Sequence, residues 1–261
     1  MSVSLTVADR VAVLVLDRPD RRNALSLADW RTLRDLLRSL QPVRAVVSTG
    51  AEDHFCAGMD LADDNPLIAE LAPALNRGEE AAARRVITEL KECVSAITEL
   101  EVPVFAAIEG ACIGGGLEIA LACDVRIAAS DAIFALPEVR LGMIPDVGGC
   151  ARMVRLVGSG RTADLVTTGR RVRGDEAFDL GIVERIVPPG GARAAAMLAA
   201  ADVVLGGPDA VRLALAVVRA AGDLGLDEAL AIETHHGAMA IASGEAREGI
   251  SAFREKRAPR W

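Results

Sequence analysis

The sequence predicts an α/β fold built as a spiral from one repeated unit of strand, strand and helix. Three observations predict it. Short apolar runs alternate with segments of helical spacing from Ser4 to Val187. The order strand, strand, helix recurs at least twice. After Pro188-Pro189-Gly190-Gly191 the composition shifts to alanine-rich helix up to the end of the chain. That proline and glycine segment divides an expected spiral core with the functional residues, 1–190, from a C-terminal helical region, 191–261. A chain of 261 residues, 51% of them hydrophobic, can furnish a substantial core.

Taken in order, Ser4 to Ala8 and Val11 to Leu16 read as a hairpin around Asp9-Arg10. Ser26 with Asp29 three residues on resembles a capping arrangement, and Leu33, Leu36, Leu37 and Leu40 follow at helical spacing. Ala45 to Thr49 is a short buried strand. The segment AEDHFCAGMDL after Gly50 has no period and suits a functional loop. Asp63 to Gly78 reads as irregular, Ala81 to Leu100 as a long helix stopped before Pro103, and Val104 to Ile108 as a buried strand. Leu117 to Cys123 is helical, and Val125 to Ala129 and Ala132 to Ala135 are short strands. Helices follow at Cys150 to Val157, Ser159 to Thr168 and Gly174 to Leu180, with a strand at Val183 to Val187.

Composition excludes several function classes. A net charge of −8 argues against nucleic acid as the main partner, because such a binder needs a basic stripe. Five cysteines without CxxC spacing fit a reduced, cytoplasmic protein, and the charged, alternating N-terminus reads as neither a signal peptide nor a membrane span. His54, His235 and His236 show no metal-ligand spacing, so no metal site is expected. A GxSxG elbow and a GxGxxG fingerprint are both missing from the sequence.

The chemistry concentrates in VFAAIEGACIGGGLEIALACD, Val104 to Asp124. Gly114, Gly115 and Gly116 allow close backbone approach, and a helix starting there aims free N–H groups and its dipole at an anionic oxygen. Glu118 lies in the first turn among apolar neighbours. Inward, it is a general acid or base with a raised pKa; outward, it is a helix-start glutamate that favours the dipole. Glu138 and Asp146, each beside a proline, read individually as solvated loop acids or as catalytic ones.

Five segments in order carry a resemblance over essentially the whole chain. They are RPDRRNAL (Arg18 to Leu25), FCAGMDL (Phe55 to Leu61), IEGACIGGGLEIALACD (Ile108 to Asp124), LPEVRLGMIPDVGG (Leu136 to Gly149) and AFREKRAP (Ala252 to Pro259). Together they resemble the enoyl-CoA hydratase/isomerase family, the crotonases. The resemblance implies a spiral of ββα units whose C-terminal helices pack trimers or stacked hexamers. It also implies an acyl-CoA thioester substrate, with coenzyme A as part of the substrate and no separate cofactor. It places Met59 and Gly115 as backbone donors to the thioester oxygen, and Glu118 and Glu138, twenty positions apart, as the paired acids of a hydratase. Asp146, eight residues beyond Glu138, is shared with isomerases of the family and keeps isomerisation as the alternative, with non-catalytic acyl-CoA binding more remote. By the same resemblance Arg22, Ala24, Ala57, Asp60, Leu61, Ala62 and Lys256 line the coenzyme A portion.

Overall fold

The computed structural model describes residues 2–62 and 65–261. Its first elements are β1 (Val3–Ala8) and β2 (Val11–Leu16), the expected antiparallel hairpin, in which Asp9 and Arg10 both take positive φ. Helix α1 (Leu27–Arg38) starts at the expected cap: Ser26 accepts from the Asp29 amide, and the Asp29 carboxylate accepts from Ser26 N–H at 2.8 Å. Strand β3 (Ala45–Gly50) then runs parallel to β2.

The next element corrects the expectation of irregular backbone. Residues 63 and 64 lie outside the described residues, but Pro66–Arg77 forms helix α2. Its reason is local. Asn65 Oδ1 accepts from the Leu67 amide at 3.2 Å, Pro66 supplies a helical φ where no N–H is needed, and Gly78 closes the far end at φ 67°. Helix α3 (Glu80–Thr98) follows and packs against α1 and α2.

Strand β4 (Val104–Ile108), strand β5 (Ala111–Ile113) and helix α4 (Gly115–Ala122) make one turn of the spiral. The next is β6 (Val125–Ala129) and β7 (Ile133–Ala135), a 3-10 turn at Glu138–Leu141, and α5 (Gly149–Val157). Then come α6 (Ser159–Thr168), β8 (Val172–Arg173), α7 (Gly174–Leu180) and β9 (Arg185–Val187). The short strands β5 and β8 were not expected, because two or three residues carry no period. Their partners create them: β5 and β8 flank β7 in a second, small sheet, while the main sheet runs β1-β2-β3-β4-β6-β9.

Alternation along the main sheet separates two cores. Val46, Ala106 and Ala128 face α1, α3 and α4, whereas Ala45, Val47, Phe105, Ala107 and Ile127 face the other way. That second face is covered by α8 (Ala192–Val204) through Ala192, Ala196, Ala199 and Ala200. Small side chains at i, i+4, i+7 and i+8 let the helix lie close on the sheet. The proline and glycine segment before α8 is pinned by Glu109, whose carboxylate accepts from the Gly190 and Ala192 amides at 3.0 and 2.8 Å. The chain ends in α9 (Pro208–Ala221), α10 (Leu226–Ala242) and α11 (Glu245–Glu255). No helix among the described residues is long and apolar enough to cross a membrane.

Candidate active site

Helix α4 is fixed at both ends. Gly114 takes φ 54°, and its amide donates to Ala135 O at 2.9 Å, so the helix begins against β7. At the other end the buried guanidinium of Arg126 donates to Ala120 O at 3.2 Å, Cys123 O at 2.8 Å and Ile182 O at 2.9 Å, and pairs with Glu184. These bonds satisfy carbonyls that the helix end leaves open. Glycine is required at 116 because a Cβ there would overlap the Cys56 carbonyl. The loop after β3 and the start of α4 therefore lie backbone to backbone.

Met59 is brought to that contact. Leu25 N–H donates to Gly58 O and Asp60 N–H donates to Leu25 O, both within 2.9 Å, so the Met59 N–H between them points to the other side of the segment. Gly115 is the first residue of α4, and its N–H has no acceptor within the helix. The two segments touch: a Cβ built on Gly58 would sit 3.2 Å from Gly115 N. The resemblance names Met59 and Gly115 as donors, and in the structure the segments that carry them lie side by side.

Glu118 points inward and is 3% exposed. Its Oε1 accepts from the Val147 amide at 3.0 Å and the Gly149 amide at 2.7 Å, on the turn that leads into α5. Burial is the main cause that pushes its carboxyl up to about 8; the Gly149 amide opposes this, and the negative charges of Glu138 and Asp146 add to it. The outward, dipole-only alternative is thereby removed. Glu138, at the start of the 3-10 turn, reaches back over the glycine run: its Oε1 would lie 2.9 Å from a Cβ on Gly114. Its Oε2 is buried without a hydrogen-bond partner among the described residues, and burial raises its carboxyl above the usual range. Asp146 has an open outer surface, yet protein crowding its carboxyl raises that group as well. Its charge acts on both glutamates. The three acids therefore share one neighbourhood beside the two free amides.

A crevice of about 690 Å³ opens at Asp146, Val147, Gly148 and Arg152. A second cleft of about 590 Å³, between the end of α1 and the start of α9, contains none of the candidate residues.

Comparison with known proteins now decides the family. The profile of the enoyl-CoA hydratase/isomerase family matches residues 6–261. The chain belongs to that family. It is 34% identical to the crotonyl-CoA hydratase of Syntrophomonas wolfei over 98% of this chain and 96% of that protein. It is also 34% identical to the peroxisomal Delta(3,5)-Delta(2,4)-dienoyl-CoA isomerase of Arabidopsis thaliana over 95% of this chain and 91% of that one. The crystal structure of an enoyl-CoA hydratase from Bacillus anthracis superimposes with a TM-score of 0.89 at 34% identity, covering 100% of this chain and 99% of the other. The spiral is the crotonase fold.

The remaining candidates of this crotonase-fold chain spread along the loops before α1 and α2. Arg22 is exposed at φ 50° and its carbonyl accepts from the Ala57 amide at 2.9 Å, which places the two side by side. Ala24 is buried behind them, and Leu61 and Ala62 follow on the surface side. Asp60 is a brace: its carboxylate pairs with Arg18 at 2.8 Å and accepts from the Ala62 amide at 3.1 Å. Burial pushes the Asp60 carboxyl upward, but that amide and Arg18 outweigh it and hold the group below its usual range. Lys256 caps α11 in a left-handed conformation, and no hydrogen bond or ion pair among the described residues ties it to residues 22–62. Among the described residues no cluster of side chains could hold a metal ion.

Three residues escaped the sequence reading. Asn23, fully buried at φ 58°, accepts from Arg18 N–H and donates to Ala51 O and His54 O at 2.9 and 2.7 Å, fixing the loop that carries Met59. Trp30 lies under Gly115, with Cζ2 2.9 Å from the position of a Cβ there. Arg152 braces the turn that holds Glu118. Asparagine ahead of a helix cap carries a faint left-handed signal; the tryptophan and arginine carry none.

Proposed function

We propose that this protein is an enoyl-CoA hydratase, adding water across the double bond of a 2-trans-enoyl-CoA to give a 3-hydroxyacyl-CoA. The observation that carries the reading is the buried Glu118 together with the half-buried Glu138, which lie beside the free amides of Met59 and Gly115. In this reading the thioester oxygen accepts from both amides. That arrangement draws electron density off the double bond and stabilises the enolate, and loss of one donor costs about 10²–10³ in rate. The reactive form of the pair holds one proton, on Glu138, and because the Glu118 carboxyl is pushed up to about 8 that form gains population as pH rises toward this value. Glu118, whose charged form the Val147 and Gly149 amides favour, takes a proton from water as its oxygen bonds to Cβ. Glu138 delivers a proton to Cα. H and OH are thus added, and the pair holds one proton before and after. The reaction changes no net oxidation state and so needs no redox cofactor, and in this reading the two amides polarise the thioester carbonyl without a metal.

Coenzyme A, on this reading, lies along Arg22, Ala24, Ala57 and Asp60 to Ala62, where the exposed Arg22 suits a phosphate. Lys256 reaches it from a neighbouring subunit of a homotrimer or a dimer of trimers. A reduced, cytoplasmic setting is supported by five cysteines that are all free thiols. A second reading, double-bond isomerisation through Glu138 or Asp146, is favoured by the charge of Asp146 acting on both glutamates.

The test is a panel of 2-trans-enoyl-, 3-enoyl- and 3,5-dienoyl-CoA thioesters read by product mass in labelled water. The expected result is one incorporated oxygen with the 2-enoyl substrates. Glu118→Gln and Glu138→Gln should each lower kcat at least ~10²-fold, and Asp146→Asn should keep hydration while moving its acidic limb to lower pH. A shifted double bond without added oxygen, lost in Asp146→Asn, would establish the isomerase instead. Tight binding of every thioester without turnover would leave an acyl-CoA-binding protein.

A further inference from the structure

Among the described residues Arg152 has no acidic partner within ion-pair distance, although most arginines near it are paired. It is half-buried on the first turn of α5 and lines the crevice at Asp146. Its Nη1 donates to Val147 O at 3.1 Å. Gly148, at φ 121°, presents a bare backbone beneath the guanidinium, and a Cβ there would overlap Nη1. The amides on either side of this glycine, Val147 N–H and Gly149 N–H, are the two that hold Glu118 Oε1. One face of a three-residue turn is therefore gripped by Arg152 and the other grips Glu118.

We propose that Arg152 is a positioning residue for Glu118: by clamping Val147 O over Gly148 it fixes the two donor amides, and its unpaired charge favours the ionised carboxylate. This rests on the hydratase reading for its kinetic consequence, but not for its effect on the Glu118 carboxyl. The causes that dominate the Glu118 carboxyl are burial, the two amides and the neighbouring acids, so the hold of Arg152 on it runs chiefly through the turn. Burial pulls the guanidinium below its usual range, and the negative charge of Glu118 acts against that pull. The other groups facing Glu118 act the opposite way. Glu138 from the 3-10 turn and Asp146 from the loop before α5 raise its carboxyl. Cys150 on α5 and Cys123 after α4 are thiols pushed upward by burial, hence neutral at pH 7. Lys91 of α3, on the rim of the crevice, is the other cation without an acidic partner on that side among the described residues. Arg152 alone among these groups both touches the turn and carries positive charge.

The test uses Arg152→Lys, which keeps the charge, and Arg152→Gln, which removes it. Two measurements are made on each: the pH profile of kcat with a 2-enoyl-CoA, and the pH dependence of Tm in the presence and absence of Glu118→Gln. Arg152→Gln is expected to move the acidic limb of kcat up by about one pH unit, to lower kcat about tenfold and to change KM less than twofold. It is also expected to extend the alkaline loss of Tm by a similar span, and to have no such effect once residue 118 is glutamine. Arg152→Lys should restore most of both. An Arg152→Gln protein whose kcat limb and Tm profile coincide with wild type would overturn the proposal, as would an effect confined to KM. If wild-type protein hydrates no enoyl-CoA, the hydratase reading fails while the Tm comparison still decides the role of Arg152.

Discussion

Glu118 carries two opposing instructions. The Val147 and Gly149 amides favour its charged form, while burial and two neighbouring acids favour its neutral form, and the second group wins. The consequence for stability has a definite sign. A carboxyl with an ordinary value of 4.5 that titrates at about 8 when folded binds more protons folded than unfolded between those values. Stability therefore falls as pH rises through that window, by an amount on the order of several kcal/mol. Glu118→Gln keeps an acceptor for both amides and removes the titration. Its Tm should match or fall below wild type at pH 5 and exceed it at pH 8.5, read by thermal melts in matched buffers. A Tm difference that is flat across that range would mean that the carboxyl does not titrate in this window.

At the scale of the element, α4 is placed by what its glycines allow. Gly115 sits over Trp30, and a Cβ would come within 2.9 Å of Cζ2 and 3.2 Å of Cη2. Gly115→Ala should push the start of α4 off the indole. Overpacking of this kind destabilises by about 1–3 kcal/mol, and displacing a donor amide by a fraction of an ångström should reduce kcat about 10²-fold. Trp30→Leu in the same protein opens that space and should recover activity toward wild type; no recovery would show that the indole is not what holds Gly115. The glycine run, the paired acids and most strands and helices were legible because each is a local pattern or a motif spacing. Helix α2 was legible in principle, since Asn65, Pro66 and Gly78 are its punctuation, but a second proline inside it, Pro73, reads as a breaker. Strand β8, the indole under Gly115 and the Arg152 clamp were not. Each exists only because chain segments distant in sequence meet, and no local period records that meeting.

At the scale of the molecule, the C-terminal helices lack the burial that would hold them. Helix α10, seventeen residues long, has no buried residue, and α9 and α11 have one each, Leu213 and Ala252. Helices gain most of their stability from packing an apolar face. Here the apolar side chains are instead outside: Leu226 is 74% exposed, Ile241 73% and Phe253 86%. In the proposed homotrimer or dimer of trimers, a second copy of the chain would cover these side chains and offer the same residues in return. The sheet face beneath α8 is already filled, so these helices pack on one another and leave those side chains outside. Light scattering coupled to size exclusion should give a trimer or a multiple of it. Phe253→Asp or Ile241→Asp should shift that mass toward the monomer and lower Tm by several degrees, because an unpaired charge would be buried at the contact. A wild-type protein that elutes as a stable monomer would mean that α9 to α11 stand on their own packing, which their exposure argues against.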